Sequence, residues 1–589
     1  MEKTTWDLTQ LYDSLEDPRI ERDVRAYERA TKALARELRA NRTWKKSPRA
    51  LARAIEKLNA LDKKAYEGPL YYLFYRKDLD ARDTPAKALM ARLEPRYTKA
   101  RNLLTFFHTE LATLPKATQK VFLESRHLKP YQYLLKKVFE NGIFTLSETE
   151  ENILALKGEV AGSRWEAMTG EFVAKASVTI DKKQVPIPEA LERVMNYPKG
   201  KRRKAWKEMV GVFKSLADVA EHELNALVTN HKIDNELRGR TSPEEATIRH
   251  YENAPRVISS LVEVVTDSYP ISHKFYAIKA RLLGEKTMEY VDRGVALGAP
   301  SVSLSFDSCI KRVREVFGAV HPRYADIVDR LVEQGRLDVY PKKGKTNGAY
   351  CSHGVSMPTF VLLNHVDNLR SYETLAHELG HAIHSERSKT QPPHYEGYST
   401  ATAETASTLF EQIALDALLE EVPKDEKVMI LDHKLTGDTA SIFRQIAAYT
   451  FEQTLHRQVA KEGYLTKDVI ASMLAKELRA HLGKSVRVTD DDGYSFVYWS
   501  HFRRFFYVYT YAYGQLVSRA LFERWKKNPS YVDAIDDFLV AGSSRSPEEI
   551  FTQAGLSFTR GAVFKEGLEG IGKEVALFGR LSNHYGKTS

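Results

Sequence analysis

Apolar residues recur three and four positions apart over long stretches of this 589-residue chain, with charged residues between them. That spacing places the apolar side chains on one face of an α-helix, so it restricts the fold more than any other feature. The pattern is clear in four segments, namely Ile20–Ala40, Pro48–Ala65, Pro85–Leu111 and Pro255–Leu283. The sequence therefore predicts a mainly α fold.

Strand patterns are few. Residues Ala176–Val185 predict a short hairpin that turns at Asp181–Lys183, and Gly348–Asn364 predicts a second strand region. Within that region, Thr359–Leu363 is expected to offer its edge to an extended peptide backbone. The coarse division is a helical region over 1–110, a linking region over 111–190 and a C-terminal region over 191–589.

Two helix starts are predicted from capping chemistry. Ser242 and Ser546 each precede the tripeptide Pro-Glu-Glu. A serine cap, a proline at the first helical position and acids in the first turn together favour the start of a helix.

Composition limits the cellular setting and the partners. The 88 basic and 78 acidic residues nearly balance, and the chain has no zinc finger, RNA-binding aromatic motif or long basic tail, so nucleic-acid binding is not expected. No apolar run approaches the roughly 20 residues of a membrane helix, and the first residues lack the pattern of a secretory signal. Two cysteines, Cys309 and Cys351, cannot form a disulfide framework. These observations predict a cytoplasmic protein without membrane partners.

One helical stretch carries metal-binding chemistry. In His377-Glu378-Leu379-Gly380-His381 the two histidines lie four residues apart. Four residues advance about 400° around the helix axis, so both side chains project from the same face, one turn apart. Two imidazoles at this spacing can share one Zn²⁺ ion, and Glu378 can hydrogen-bond the metal's water without binding the metal. We therefore expect His377 and His381 to be zinc ligands and Glu378 to be the general base.

The third ligand of the metal ion is harder to identify from the sequence. A third histidine six residues after His381 is excluded, because that position is Arg387. A glutamate from a second helix remains, and Glu396, Glu404 and Glu411 are the candidates. Glu404 is preferred, because the small residues around it allow one helix to pack closely on another.

Several motifs together resemble the oligoendopeptidase F family, relatives of thimet oligopeptidase. They are Thr4–Tyr12, Leu146–Glu151, Gly348–Cys351, Phe360–Asn364, Thr374–His384, Ala403–Thr408 and Gly542–Glu549. The resemblance implies a two-lobed, mainly α metallopeptidase with a deep central channel and a small sheet beside the zinc helix. It makes 111–190 the N-terminal domain typical of the family and 191–589 the catalytic domain, and it also places the glutamate ligand at Glu404.

The resemblance further implies transition-state donors from a C-terminal segment. By its pattern alone, His501–Tyr513 is an aromatic-rich helix. By resemblance, His501, Tyr507 and Tyr511 face the metal and donate hydrogen bonds to the oxyanion.

The expected activity is therefore zinc-dependent endopeptidase hydrolysis of short, unstructured oligopeptides, with one zinc ion. Cobalt or manganese can occupy such ligands as well, and the oligomeric state is not predicted. Two alternatives stay open. An exo-acting zinc carboxypeptidase would need a cationic clamp for the substrate's C-terminus, and an inactive helical peptide-binding protein would not depend on Glu378.

Overall fold

Helices make up most of the computed structural model, which describes residues 3–64, 67–583 and 585. Those in the first half are α1 (Pro18–Ala40), α2 (Pro48–Asp62), α3 (Gly68–Leu79), α4 (Thr84–Asn102), α5 (Thr105–Ala112), α6 (Lys116–Glu124), α7 (Gln132–Gly142), α8 (Glu148–Gly158), α9 (Arg164–Lys175), α10 (Ile187–Val194), α11 (Lys199–Leu237), α12 (Glu245–His250), α13 (Pro255–Asp267) and α14 (Tyr269–Leu282).

The second half is helical in the same way, and it contains the helices that line the candidate site. They are α15 (Phe306–Val320), α16 (Pro322–Glu333), α17 (Leu369–Ser388), α18 (Pro393–Glu396), α19 (Thr400–Glu421), α20 (Lys424–Asp438), α21 (Arg444–Glu462), α22 (Lys467–Leu482), α23 (Tyr509–Lys527), α24 (Val532–Val540), α25 (Pro547–Gln553) and α26 (Ala562–Ser582). The predicted mainly α fold is confirmed.

Two of the four helical segments are each divided into two helices. Pro255–Leu283 breaks at Ser268, between α13 and α14, where Pro270 cannot donate the backbone hydrogen bond that a continuous helix needs. Pro85–Leu111 breaks after Asn102, because α4 packs into one hydrophobic cluster and α5 into another. The segment that begins at Pro48 ends as α2 at Asp62, and Ala65 lies outside the described residues.

The two predicted helix caps have different outcomes. Ser546 caps α25 in a reciprocal capping box with Glu549, as predicted. The prediction at Ser242 was wrong, because α12 begins only at Glu245. The carboxylate of Glu245 instead accepts hydrogen bonds from the backbone N and Oγ1 of Thr241, at 3.0 and 3.1 Å.

Strands are short and few in the described residues. They are β1 (Ser177–Ile180), β2 (Lys183–Pro186), β3 (Met288–Glu289), β4 (Leu337–Asp338), β5 (Tyr350–Ser352), β6 (Phe360–Leu362) and β7 (Val486–Arg487). Strands β1 and β2 form the predicted hairpin. Its turn is made by Asp181 and Lys182, both with positive φ, which suits the twist of a two-residue hairpin.

A three-stranded sheet lies next to α17. Its order is β4-β6-β5, with β6 parallel to β4 and antiparallel to β5. The expectation that Thr359–Leu363 offers a free edge was wrong, because β6 is the central strand and both of its edges are paired. The edge strand is β5, and its residues Tyr350 and Cys351 line the cavity of the candidate site.

The hydrophobic core is divided between two parts of the chain. The largest cluster of buried apolar side chains runs from Val178 to Phe578, whereas helices α1–α7 form two separate clusters. A cavity of about 1060 Å³ lies between α5 and α7 on one side and residues 249–256 and α25 on the other. This arrangement agrees with the expected lobes around a channel. The division at residues 110 and 190 stays a prediction.

The N-terminal segment that contains Trp6 packs against the three-stranded sheet β4-β6-β5 and connects the first part of the chain to it. The indole N–H of Trp6 donates to the backbone oxygens of Val361 and Arg336, at 2.8 and 3.0 Å. Its ring packs against Tyr75 and Phe360. Over residues 3–64, 67–583 and 585, each helix lacks either the length or the apolar character that crossing a bilayer requires.

Candidate metal centre

Helix α17 presents the two histidines on one face. The side chain of Asn368 caps the helix by accepting from the backbone N–H of Ser371. The apolar side chains of Leu375, Leu379 and Ile383 are fully buried and anchor the opposite face in the core. The rings of His377 and His381 consequently lie one turn apart, with centroids separated by 4.9 Å.

Glu404 on α19 completes a cluster of three metal-binding side chains. One ligand atom from each of His377, His381 and Glu404 lies within 4.8 Å of the others, and His377 Nε2 is 3.7 Å from Glu404 Oε2. The other two candidate glutamates lie elsewhere: Glu396 accepts from the backbone N–H of Ser356, and Glu411 contacts the far nitrogen of His377. Two imidazoles and a carboxylate form a donor set that suits catalytic zinc.

Two glycines allow α19 to come this close to its neighbours. A Cβ at Gly380 on α17 would lie 2.8 Å from Ser407 Cα, and a Cβ at Gly514 on α23 would lie 2.8 Å from Glu404 Cβ. Real Cβ atoms essentially never approach so closely, so α19 is held between two glycine contacts. The close packing predicted from the small residues near Glu404 is confirmed, and Gly380 is its counterpart on α17.

Glu378 is buried beside the cluster of His377, His381 and Glu404, and one of its carboxylate oxygens is available as an acceptor among the described residues. Its side chain is 7% exposed, and Oε2 has no hydrogen-bond partner within the described part of the chain. Burial raises the pKa of Glu378 to about 7, although the positive charge of His377 opposes the shift. An unpaired carboxylate oxygen next to two imidazoles and a carboxylate fits a bound metal ion and its water.

Glu411 fixes the orientation of His377. His377 Nδ1 donates to Glu411 Oε2 at 2.9 Å, which leaves Nε2 directed toward Glu404. Burial lowers the pKa of His377, but the hydrogen bond and charge of Glu411 outweigh it and raise the pKa to about 9. The pKa of His381 is held well below its usual value by burial and then by the charge of His377.

Two other polar residues of α17 have different roles from Glu411. Glu373 accepts from His433 Nε2 at 2.8 Å. The ring of His384 stacks on Tyr398 with centroids 3.7 Å apart, and neither ring nitrogen has a partner among the described residues. Glu411 could have been singled out from sequence, since it lies two turns after Glu404 on the same helix face.

The segment with His501 and Tyr507 is a loop and not a helix. His501 lies in a 3₁₀ turn over Ser500–Arg503, Phe506 has a φ of 64°, and helix α23 starts only at Tyr509. The prediction of a continuous helix over His501–Tyr513 was therefore wrong for its first eight residues. The positive φ of Phe506 is incompatible with a helix.

The three proposed donors still lie together, two in this loop and Tyr511 in the first turn of α23. His501 Nδ1 and the Tyr507 hydroxyl share a hydrogen bond, and both rings lie 6.0 Å from the ring of Tyr511. Tyr511 lines the cavity of about 570 Å³ that also contains His377, His381 and Glu404. His501 and Tyr507 lie one ring further out, behind Tyr511.

The geometry defines a class of protein. A mainly α chain in which a His-Glu-x-x-His helix meets a glutamate from a following helix has the architecture of a metallopeptidase.

Comparisons with known proteins identify the family. The model of peptidase family M3 matches residues 196–569, and that of oligopeptidase F matches residues 110–176. The chain belongs to peptidase family M3, and the resemblance to oligoendopeptidase F is confirmed.

Individual relatives cover nearly the whole chain. Group B oligopeptidase PepB of Streptococcus agalactiae is 28% identical over 512 residues, which cover 83% of each chain. An oligoendopeptidase F homolog of Lactococcus lactis is 25% identical over 571 residues, or 94% of this chain and 93% of that one. The crystal structure of oligoendopeptidase-F from Enterococcus faecium has the same fold, with a TM-score of 0.70 at 19% identity over 95% of this chain and 98% of that one.

Proposed function

We propose that this peptidase is a zinc-dependent endopeptidase that cleaves internal bonds of short, unstructured oligopeptides. One observation carries the proposal: ligand atoms of His377, His381 and Glu404 lie within 4.8 Å of one another, beside the buried, unpaired carboxylate oxygen of Glu378. The names of the relatives, which include oligopeptidase PepB and oligoendopeptidase F, support oligopeptides as substrates.

His377 and His381, through one ring nitrogen each, and the carboxylate of Glu404 would hold the ion. Zinc bound there would polarise the scissile carbonyl and acidify a water molecule. The hydrogen bond from His377 Nδ1 to Glu411 keeps the correct ring nitrogen of His377 free for the metal.

Glu378 is the general base of this proposal. Burial raises its pKa above the usual value of a carboxyl group, which makes the carboxylate a stronger base toward water. Glu378 removes a proton from the attacking water and then transfers it to the leaving amide nitrogen. The unpaired Oε2 is the atom available for this hydrogen bond.

Tyr511 is the donor best placed for the oxyanion, because it lines the same cavity as the metal-binding side chains. His501 and Tyr507 hold each other by their hydrogen bond and support Tyr511 from behind. His501 and Tyr507 are the further donors that the family resemblance implies, and each ring lies 6.0 Å from the ring of Tyr511. A well-placed donor of this kind contributes roughly 10²–10³ in rate.

The edge strand β5 provides a main-chain surface for the substrate. Ala349, Tyr350 and Cys351 line the cavity next to Glu378, and the strand pairs on its other side with β6. An extended peptide added at this edge is bound through its backbone and not through particular side chains. Broad sequence tolerance follows from this mode of binding.

The test combines metal analysis with peptide cleavage. Purified protein is expected to contain one zinc per chain and to cleave a quenched fluorescent oligopeptide. Glu378→Gln keeps the shape and the metal but is expected to reduce kcat by about 10²–10⁴-fold. A chelator should abolish activity, and added zinc should restore it. Full activity in Glu378→Gln, or after complete metal removal, would contradict the mechanism.

Products from end-blocked peptides distinguish endo- from exo-action. A peptide that is acetylated at its N-terminus and amidated at its C-terminus offers no free end, so cleavage at an internal bond supports an endopeptidase. Release of C-terminal residues one or two at a time, with no cleavage of the blocked peptide, would instead indicate the carboxypeptidase alternative.

A further inference from the structure

Glu252 stands at a point in the chain where glycine is usual. It follows helix α12 with a φ of 60°. The backbone N–H groups of Glu252 and Asn253 donate to the oxygens of Arg249 and Ile248, at 2.9 and 3.0 Å. These two hydrogen bonds form a Schellman motif, whose residue with positive φ is commonly glycine because a side chain strains that conformation. A glutamate held in this strained conformation suggests that its side chain has a function.

Four other helices end in the same motif, and each of them has glycine at this point. The helices are α11, α14, α16 and α25, and the glycines are Gly239, Gly284, Gly335 and Gly555. Their φ values run from 63° to 84°, in the same left-handed region as that of Glu252. Elsewhere in the described chain, then, glycine makes this turn, and α12 is the helix that departs from the pattern.

The carboxylate of Glu252 is bound by helix α7 in the N-terminal part of the chain. The Tyr133 hydroxyl donates to Oε2 at 2.6 Å, and Lys137 Nζ donates to Oε1 at 2.8 Å. The side chains of Glu252 and Lys137 are only 18% and 25% exposed, and hydrogen bonds to a charged group are stronger than those between neutral groups. All three side chains line the cavity of about 1060 Å³ between α7 and the catalytic part of the chain.

The residues on either side of Glu252 contact the start of helix α23. The ring of Tyr251 packs edge-on against that of Tyr509, with centroids 6.4 Å apart. Asn253 Nδ2 donates to the Tyr509 hydroxyl at 3.1 Å. Tyr509 is fully buried and is the first residue of α23, two residues from each of the proposed tyrosine donors. Three consecutive residues therefore connect α7 to the donor segment.

A further contact joins the same stretch of chain to the donor loop. Thr247 in α12 donates from Oγ1 to the backbone oxygen of Phe505 at 3.0 Å. Residues 245–253, which we call the strap, thus contact the loop before Tyr507 and the first residue of α23 after it. Helix α12 and the turn at Glu252 keep the strap in one shape through their own hydrogen bonds. A displacement at Glu252 is consequently expected at both contacts.

We propose that Glu252 is a positioning residue, through which α7 fixes the strap and thereby the proposed donors His501, Tyr507 and Tyr511. The inference rests on the proposed peptidase function and goes beyond it, because it gives the N-terminal part of the chain a role in stabilising the transition state. Glu252 is absent from the described residues that line the metal cavity, so its effect on the reaction passes through the strap.

Glu252→Gly tests the proposal, because glycine keeps the positive φ without strain and removes only the carboxylate. The fold and the metal should stay, and the contact with α7 is lost. With a quenched oligopeptide as substrate, kcat is expected to fall by about 5- to 30-fold, as the loss of charge-assisted hydrogen bonds predicts. KM and zinc content should not change. The midpoint of thermal unfolding should stay within about 3 °C of that of the wild type.

Inhibitors distinguish positioning of the donors from a purely structural role. A phosphinic peptide has a tetrahedral phosphorus whose oxygens resemble those of the transition state, so its affinity depends on the donors. Glu252→Gly should weaken its binding by about the factor by which kcat/KM falls. A cleavage product lacks the tetrahedral centre and should bind to the variant as it binds to the wild type.

Two neighbouring lysines of α7 provide a matched pair of variants. Lys137 binds Glu252, whereas Lys136 is exposed and lines the same cavity. Lys137→Met should lower kcat by about 3- to 10-fold, and Lys136→Met should leave it unchanged. When combined with Glu252→Gly, Lys137→Met should have no further effect, because its partner is already gone.

Tyr509→Phe tests the other end of the strap. The change removes the hydroxyl that accepts from Asn253, so kcat alone should fall by about 3- to 10-fold. The double variant with Glu252→Gly should be no slower than the slower single variant, since both changes interrupt the same connection. Effects of two independent positions would instead multiply.

The outcomes separate this inference from the proposed function. A wild-type protein that cleaves no peptide would contradict the peptidase mechanism and this inference with it. Wild-type kcat in Glu252→Gly, an equal effect in Lys136→Met, or multiplying effects in the double variant with Tyr509→Phe overturns the inference alone. So does a higher KM with unchanged kcat, which would assign Glu252 to substrate binding. A loss of zinc or of thermal stability would assign Glu252 to the fold and overturn the positioning role as well.

Discussion

The two sides of the candidate site are built differently. On one side, His377, His381 and Glu404 project from the long helices α17 and α19, which meet at Gly380. On the other side, His501 and Tyr507 lie in an irregular loop before α23. Helix geometry alone brings the two histidines of the first side together, whereas distant parts of the chain hold the second side.

The anchors of the loop show how that second side is fixed. Glu452 on α21 accepts from the backbone N–H of Phe506 at 3.0 Å, and Thr247 donates to the backbone oxygen of Phe505 at 3.0 Å. Arg503 forms a buried ion pair with Glu223 on α11. The two histidines are thus placed by a single helix and Glu404 by helix packing at Gly380 and Gly514, whereas the donor side depends on a few polar contacts to an irregular loop. Mutation should therefore displace the donor side more easily than the metal-binding side chains.

The largest effect is expected when the loop loses its buried ion pair. Glu223→Ala leaves the buried charge of Arg503 without a carboxylate, with only backbone oxygens as acceptors, and this should lower the free energy of unfolding by about 3–5 kcal/mol. Activity should fall with it, while the purified, folded protein keeps its metal. Denaturant unfolding and metal analysis measure the two effects. Asp218→Ala on the same helix removes an exposed pair with Lys467 and should change stability by less than about 1 kcal/mol.

His501→Ala tests the donor side directly. We expect kcat to fall by about 10²–10³-fold, because the loss of His501 removes a proposed transition-state donor and its hydrogen bond with Tyr507. The metal content should stay at the wild-type level, as determined by elemental analysis. Loss of metal in His501→Ala would show that the two sides do not act separately.

Glu411→Gln tests the metal-binding side by weakening the group that orients His377. The amide removes the negative charge next to Nδ1, so zinc affinity should fall by about 10- to 100-fold. Competition with a fluorescent zinc chelator measures the affinity without reference to activity. Saturating zinc should restore most of kcat. A loss of kcat that zinc does not restore would contradict an orienting role.

The smallest effect is expected at the contact between the two sides. Gly514 on α23 touches Glu404, and Gly514→Ala should cost about 1–3 kcal/mol through overpacking. Zinc affinity should fall slightly as Glu404 moves. Gly211 on α11 is exposed and has no neighbour within 4 Å of an added Cβ, so Gly211→Ala should stabilise the protein by about 0.5–1 kcal/mol. Thermal unfolding compares the two variants.

The sequence alone determined the features that depend on local periodicity. The spacing of His377 and His381, the apolar face of α17 and the small residues around Glu404 are set by helix geometry over a few turns. The hairpin at Asp181 is local in the same way. These predictions are confirmed because each depends on residues that are close along the chain.

Only the tertiary structure decided the rest. The aromatic pattern of His501–Tyr513 suits a helix, but contacts with Glu452, Glu223 and Thr247, each more than 50 residues away, hold its first part as a loop. The choice of β5 over β6 as the edge strand depends on β4, which pairs with the other side of β6. Such features follow from the packing of distant segments, and no short stretch of sequence contains that information.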